Sequence, residues 1–295
     1  MKLLFKKYQT YGKICLSVII LGIIFSKIEA QAVVKMVYQL TLFTFILLIL
    51  ITILKFFSQA YLWSCCLKIN CNHQFSLKSI LKTHLVGLAL RFFLPGGYGT
   101  FGKAFYLDQD KKQTIISIFL EKFFGVWVII FFALWSFLFT ISRYLFLIRF
   151  LAIFVSILPF LLPLIFAKIS TFSQRTAYYK VLIKIIITQI IYELLTFYQY
   201  YILFQAILGN LISFGKIAQT ISFVLVANTI PITYSGLGIR ETVSMYILPK
   251  VGIPAEAAVG ASLLIFFLNS IVPALPGVMM IWGKALNKKK EQGSK

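Results

Sequence analysis

The chain has 295 residues, 60% of them hydrophobic and 13% charged, with a mean hydropathy of +0.91. Soluble domains average roughly 45–50% apolar and about 25% charged, so composition excludes an ordinary soluble protein and points to a polytopic α-helical membrane protein. The net charge of +21 does not argue for a nucleic-acid partner, because the Lys and Arg residues lie between apolar runs, as topology determinants do; there they also attract anionic lipid.

A helix needs about 20 apolar residues to span a bilayer, and six segments qualify or come close: Lys13–Ile28, Gln39–Trp63, Ile115–Thr140, Tyr144–Ala167, Lys180–Leu208 and Pro254–Lys284. Lys2, Lys6, Lys7 and Lys13 ahead of the first run resemble the start of a signal peptide, but no convincing small-x-small cleavage site follows, so it reads as a retained helix. Lys55 alone interrupts the second span, and Lys68–Ser76 is a basic connection. Leu77–Leu94 is amphipathic, with Lys78, Lys82, His84 and Arg91. Pro159 and Pro163 are expected to kink the fourth span, and Pro273 and Pro276 the sixth. Leu211–Ile230 is apolar, Ile239–Leu248 is short, and 287–295 is a basic tail. No loop has room for a soluble catalytic domain, so 1–295 reads as a single membrane domain.

Two apolar stretches break in the same way. Pro95-Gly96-Gly97-Tyr98-Gly99-Thr100-Phe101-Gly102 and Pro231-Ile232-Thr233-Tyr234-Ser235-Gly236-Leu237-Gly238 share P-x-x-Y-x-x-x-G, with Lys103 and Arg240 following. Pro ends a helix and Gly lets the backbone turn. In hydrocarbon such backbone survives only when buried in protein or lining a wet cavity, and paired interruptions point to a transporter-like site. Residues 77–110 and 211–250 are therefore expected to form re-entrant helical hairpins. With a cytoplasmic N-terminus and each hairpin returning to its own side, the cytoplasmic loops hold Lys2, Lys6, Lys7, Lys68, Lys78, Lys82, Lys111, Lys112, Lys168, Arg175, Lys180 and Lys288–Lys290. The outer loops hold little beyond Lys27, Lys35, Arg143, Arg149 and Lys250, a positive-inside bias. Three spans separate the hairpins, so they enter from opposite faces as an inverted repeat, and both termini are cytoplasmic.

The motifs resemble a known family. Leu94-Pro95-Gly96-Gly97-x-Gly99, Lys103-Ala104-x-Tyr106-Leu107 and Ser117-x-x-Leu120-Glu121-Lys122-x-x-Gly125 are similar to the first signature of the flippase-like transmembrane region of lysylphosphatidylglycerol synthases. Pro231-Ile232-x-x-Ser235-Gly236-Leu237-Gly238-Ile239-Arg240-Glu241, then Ser262-Leu263-Leu264 and Asn269 to Ala274-Leu275-Pro276-Gly277, resemble the second. Lys103 and Lys122 stand where that family more often has Arg; Lys keeps the charge but lacks the planar fork. The resemblance implies a membrane domain associated with lipid translocation. In the fused enzymes a separate soluble domain performs aminoacyl transfer, and it is not expected here.

Ionisable residues inside a membrane are costly and default to functional hypotheses. Arg91 shares a helix face with Gly87 and His84 and either holds a lipid phosphate or snorkels to the interface. Arg240-Glu241 opens a short helix, where Arg240 either faces a cavity and binds headgroup phosphate or forms a structural ion pair with a carboxylate, and Glu241 suits the helix N-terminus. Glu121 pairs with Lys122 at the headgroup level or with Arg91, Lys103 or Arg240 across the cavity. Gln189, Glu193, Thr196 and Tyr200 make one polar stripe; Glu193 is either a proton-coupling site or a neutral hydrogen-bonded packing group. Asn228 and Asn269 read as helix–helix hydrogen bonds. Tyr98 and Tyr234 sit near the hairpin tips. The candidate headgroup site is thus Arg91, Lys103, Arg240, Glu241, Tyr98 and Tyr234, framed by Pro95, Gly96, Gly97, Gly99, Pro231, Gly236 and Gly238, with Glu121 and Glu193 for coupling or ion pairing.

Neither metal nor cofactor is expected. Cys15, Cys65, Cys66 and Cys71 form no disulfide framework, and Cys71-x-His73 has no second pair. No nucleotide-binding, zinc-protease or nucleophile-elbow motif occurs. The leading reading is a non-enzymatic flippase or scramblase of the cytoplasmic membrane, acting on a phospholipid or other anionic lipid. The alternatives are a non-catalytic partner in envelope lipid or glycolipid biosynthesis, and an integral-membrane headgroup transferase using Glu121, Asp108 or Glu193 as base.

Overall fold

The computed structural model describes residues 31, 38–70, 75–92, 95–107, 110–140, 145–165, 175–209, 212–230, 233 and 236–293. Among them no strand occurs. The expected first span, Lys13–Ile28, lies outside the described residues.

The helices in chain order are α1 (Leu42–Asn70), α2 (Leu77–Leu90), α3 (Lys111–Thr140), α4 (Leu145–Ile165), α5 (Arg175–Leu208), α6 (Phe214–Thr229), α7 (Ile239–Ile247), α8 (Ala255–Phe266) and α9 (Val272–Gly293). A single π-type turn, Phe267–Ile271, joins α8 to α9. Among the described residues, four stretches are long and apolar enough to cross a membrane: Leu42–Asn70, Lys111–Leu138, Tyr178–Leu208 and Ala255–Trp282. In α4 the apolar stretch, Phe146–Leu162, is shorter. The chain is a multi-pass membrane protein.

The helices are sorted by a lipid-type pattern, apolar outside and polar inside. In α5, Ile183, Ile187, Ile191, Leu194 and Tyr198 are exposed, while Gln189, Glu193, Thr196, Gln199 and Tyr200 are buried. Both sets recur at three- and four-residue spacing, so they occupy opposite faces. In α1 the exposed set is Phe43, Ile46, Leu50, Leu54 and Phe57, and the buried set includes Thr44, Thr52 and Lys55. The long contact between α1 and α5 closes these inner faces on each other.

α1 runs seven residues past the expected end at Trp63, into what reads as a basic connection. Packing explains the extension: Leu62, Trp63, Cys66 and Leu67 are fully buried in one apolar cluster with Phe124, Leu182 and Ile185. The Asn70 side-chain amide then donates to Ser117 Oγ at 2.8 Å, fastening the end of α1 to α3.

α4 continues through Pro159 and Pro163 without interruption. Each proline lacks the N–H that would bond the carbonyl four residues earlier. Those carbonyls belong to Val155 and Pro159, and aromatic donors take both. Trp127 Nε1–H donates to Val155 O at 2.7 Å, and Tyr178 O–H donates to Pro159 O at 2.8 Å. A lipid environment supplies no water for such groups, so Trp127 and Tyr178 replace what the prolines remove.

Both motif regions interrupt the helices. α2 begins at the N-cap Ser76, whose Oγ accepts from Ser79 N–H at 3.3 Å, and ends at Leu90. A 3₁₀ segment, Pro95–Tyr106, follows. Gly99 lies against the end of α2 so closely that a Cβ there would come 1.7 Å from Leu90 O. α6 ends at Thr229, Ile230 is extended, and the chain turns through Gly236 and Gly238 at φ 77° and 91° before α7 starts. An L side chain would be strained at either angle. The packing of the two regions is reciprocal: α2 lies on the 3₁₀ segment and against α9, whereas α6 lies on α7 and against α3. A Cβ at Gly277 of α9 would approach Leu85 O to 2.1 Å, so α2 and α9 meet backbone to backbone.

Candidate functional site: a cationic cavity between the two broken segments

One cavity of about 360 Å³ is lined by α1, α2, the 3₁₀ segment, α3, α5, α6, α7, α8, the π-type turn and Pro273 of α9. That lies in the range of small-ligand sites, roughly 300–1,000 Å³. Both motif regions contribute, Thr100 and Lys103 from the first and Arg240 just after the second. The unusual π-type turn supplies Asn269 and Ser270.

Arg91, Lys103, Arg240, Glu121 and Glu193 all face this space, although they are spread over 150 residues of sequence. Glu241 stands behind Arg240 and is fully buried. Gly99, Gly236 and Gly238 hold the turns described above. Pro95, Gly96, Gly97 and Tyr98 fall in the 3₁₀ segment, while the Tyr98 side chain, Pro231 and Tyr234 lie outside the described residues.

Lys103 enters along α2, where its side chain passes so close to Gly87 that a Cβ would meet Lys103 Cδ at 2.9 Å. Its ammonium forms an ion pair with Glu121 and sits 3.6 Å from the Trp63 ring centroid. Trp63 is itself fixed by Nε1–H donation to Thr83 Oγ1 at 3.0 Å. The carboxylate thus ties the first broken segment to α3.

Arg240 has the corresponding arrangement. Its guanidinium pairs with Glu241 and donates from Nε to Ser262 Oγ of α8 at 2.7 Å. It lies 4.8 Å from the Phe266 ring centroid. Glu241 Oε2 accepts from Gly238 N–H at 2.7 Å, which satisfies one of the free amides at the start of α7. Arg240 therefore lines the cavity and belongs to a buried ion pair.

Lys55 is a member of the site that sequence reasoning passed over. It is 3% exposed, donates to Gln199 Oε1 at 3.0 Å and lies 4.7 Å from the Tyr192 ring centroid. Glu193 acts on it electrostatically. Gln199 also donates to Thr52 Oγ1 at 3.0 Å and accepts from Asn269 Nδ2 at 2.8 Å, so the bottom of the cavity is one polar network across α1, α5 and the π-type turn. A lone Lys amid Leu, Ile and Phe was the available signal.

Among the described residues, Arg91 and Lys122 form no ion pair, although Glu121 acts electrostatically on Lys122. Four cavity-lining polar atoms are buried without a hydrogen-bond partner: Thr100 Oγ1, Gln189 Nε2, Glu193 Oε2 and Asn228 Oδ1. Buried polar groups are nearly always satisfied, so this space suits a polar occupant. No group of three or more metal-ligating side chains occurs among the described residues.

A comparison with curated proteins returns no match. Residues 11–277 match the family described as the lysylphosphatidylglycerol synthase TM region. That match takes in both broken segments and every residue of the cavity, and it ties the chain to membrane lipid metabolism or transport: the protein belongs to the lysylphosphatidylglycerol synthase transmembrane-region family.

Proposed function

We propose that the protein translocates a lipid across the cytoplasmic membrane, acting as a carrier and not as an enzyme. The headgroup occupies the cavity while the acyl chains stay in the bilayer. The observation that carries this reading is a single polar cavity walled by both broken segments, with more cations than carboxylates on its lining. In hydrocarbon such a lining is costly unless it serves a polar passenger.

The reciprocal packing supports an inverted repeat. If α1 through α3 correspond to α5 through α9, then α2 against α9 is the counterpart of α6 against α3. In this reading the two broken segments are re-entrant hairpins entering from opposite faces. The excess of Lys and Arg on one set of loops favours cytoplasmic termini. Arg91 meets the phosphate; Lys103 and Arg240 are positive walls held in place by Glu121 and Glu241; Glu193 beside Lys55 is the place where proton movement would couple to transport.

The test is reconstitution of the purified protein in vesicles with fluorescently labelled lipids of several headgroups. Accelerated loss of the inner-leaflet pool's protection from a membrane-impermeant quencher supports the proposal. A rate equal to that of protein-free vesicles for every headgroup defeats it.

A further inference from the structure

The charge arrangement of the cavity selects among headgroups. Glu121 is matched to Lys103, Glu241 to Arg240, and Glu193 lies beside Lys55. Arg91 and Lys122 line the same cavity from different elements, and neither forms an ion pair among the described residues. Glu121 acts on Lys122 as well as on Lys103, but Lys55, Arg91, Lys103, Lys122 and Arg240 still outnumber Glu121, Glu193 and Glu241 by two. An excess of like charge around one low-dielectric space is unfavourable, and an anion bound in that space relieves it. Of the four lining atoms without a partner among the described residues, Glu193 Oε2 and Asn228 Oδ1 are acceptors, and the two donors are of the matching kind: Gln189 Nε2 carries N–H groups and Thr100 Oγ1 a hydroxyl. Arg with Lys and neutral N–H and O–H donors is the side-chain set that holds a phosphate.

We propose that the ligand is a lipid whose headgroup ends in a phosphate bearing two negative charges and no amine, that is, a phosphomonoester or a diphosphate. The inference rests on the lipid-carrier reading and narrows it. A phosphodiester carries one negative charge and balances only one of the two cations. An ethanolamine headgroup is zwitterionic. A lysyl ester of phosphatidylglycerol carries a net positive charge and adds to the repulsion, so the lipid in the family's name is the poorest fit to this cavity.

The experiment measures binding to the full-length protein in neutral detergent, by thermal shift and by retained lipid in native mass spectrometry. The probes are phosphatidic acid, phosphatidylglycerol, phosphatidylethanolamine, lysyl-phosphatidylglycerol, and inorganic phosphate and pyrophosphate. The expected result is phosphatidic acid binding at least about tenfold more tightly than the other lipids, the effect of one added charge-assisted contact. Arg91→Gln and Lys122→Gln are expected to remove that preference and Lys122→Arg to retain it; the lipid panel on the unaltered protein decides the matter even where a variant fails to fold. Equal affinity across headgroups, or tighter binding of lysyl-phosphatidylglycerol, overturns the inference. Inorganic phosphate or pyrophosphate competing as well as phosphatidic acid assigns the site to soluble anions and overturns it too. Vesicle translocation is scored separately: a protein that prefers phosphatidic acid but moves no lipid sinks the carrier reading alone, and one that moves all lipids without preference sinks the inference alone.

Discussion

Glu241→Gln isolates the role of the second ion pair. The substitution leaves a side-chain carbonyl able to accept from Gly238 N–H, so the start of α7 keeps its cap. It removes the charge that faces the Arg240 guanidinium, a group only 6% exposed and otherwise bonded to the neutral Ser262 Oγ. Removing one member of a buried pair leaves an uncompensated charge and costs about 3–5 kcal/mol. At roughly 2–4 °C per kcal/mol, the expected fall in unfolding temperature is about 6–20 °C. Arg240→Met combined with Glu241→Gln takes away the stranded charge, and the double variant should recover about 2 kcal/mol relative to the sum of the single effects. Thermal unfolding of the four proteins in one detergent, followed by tryptophan fluorescence, measures the cycle. A Glu241→Gln protein melting within about 2 °C of the parent, or strict additivity in the double variant, would show that Arg240 finds its counter-charge elsewhere.

Further outcomes follow from the same geometry. Gly236→Ala places a Cβ at φ 77° and 1.9 Å from Asn228 Oδ1, whereas Gly215→Ala meets nothing within 4 Å; the first should lose well over about 1–3 kcal/mol and the second should be neutral or gain up to about 1 kcal/mol, as read by the fraction surviving heating on gel filtration. Trp127→Phe strands the Val155 carbonyl that Pro159 leaves free and is expected to cost about 1–3 kcal/mol; adding Pro159→Ala restores an intrahelical N–H donor, so no recovery in the double variant would refute the account of α4. Lys55→Met should detach Gln199 from α1 at one contact and slow translocation more than it lowers stability, because Gln199 keeps Thr52 and Asn269; a loss of melting temperature with unchanged transport would make Lys55 a purely structural residue.

The motifs made both interruptions visible because Pro and Gly act locally, and the polar stripe of α5 was visible because a buried face in a membrane is written as period-three-and-four polarity. Arg91, Lys103, Glu121, Glu193 and Arg240 could be picked out one at a time as charges in apolar surroundings, and they share one cavity. Their partners were harder to read. Glu121-Lys122 looks like a neighbouring ion pair, as Arg240-Glu241 is at the start of α7, and nothing in the local sequence tells the two cases apart. Glu121 makes its ion pair with Lys103 of the first broken segment and acts on Lys122 only electrostatically. Lys55 bonds a glutamine 144 positions away, a distance at which no local pattern survives. The extension of α1 past Trp63 depends on Leu67 and Cys66 meeting α3 and α5, which is again tertiary information.

The two ion pairs share a design that bears on how the cavity could open. Lys103 stands just after the first break and is held by Glu121 of α3; Arg240 stands just after the second and is held by Ser262 of α8 as well as by Glu241. Each break is thereby fastened to the helix that follows it. The broad backbone-close contacts, by contrast, run crosswise, α2 on α9 through Gly277 and α6 on α3. Fastened units sliding on crossed contacts are expected to move as wholes, with the crosswise surfaces as the place of shear. Gly277→Ala puts a Cβ 2.1 Å from Leu85 O and so wedges one such surface apart without touching a charge. It should alter translocation while leaving the headgroup preference intact. A changed preference with an unchanged rate would show that the crosswise contacts shape the binding site and not the movement around it.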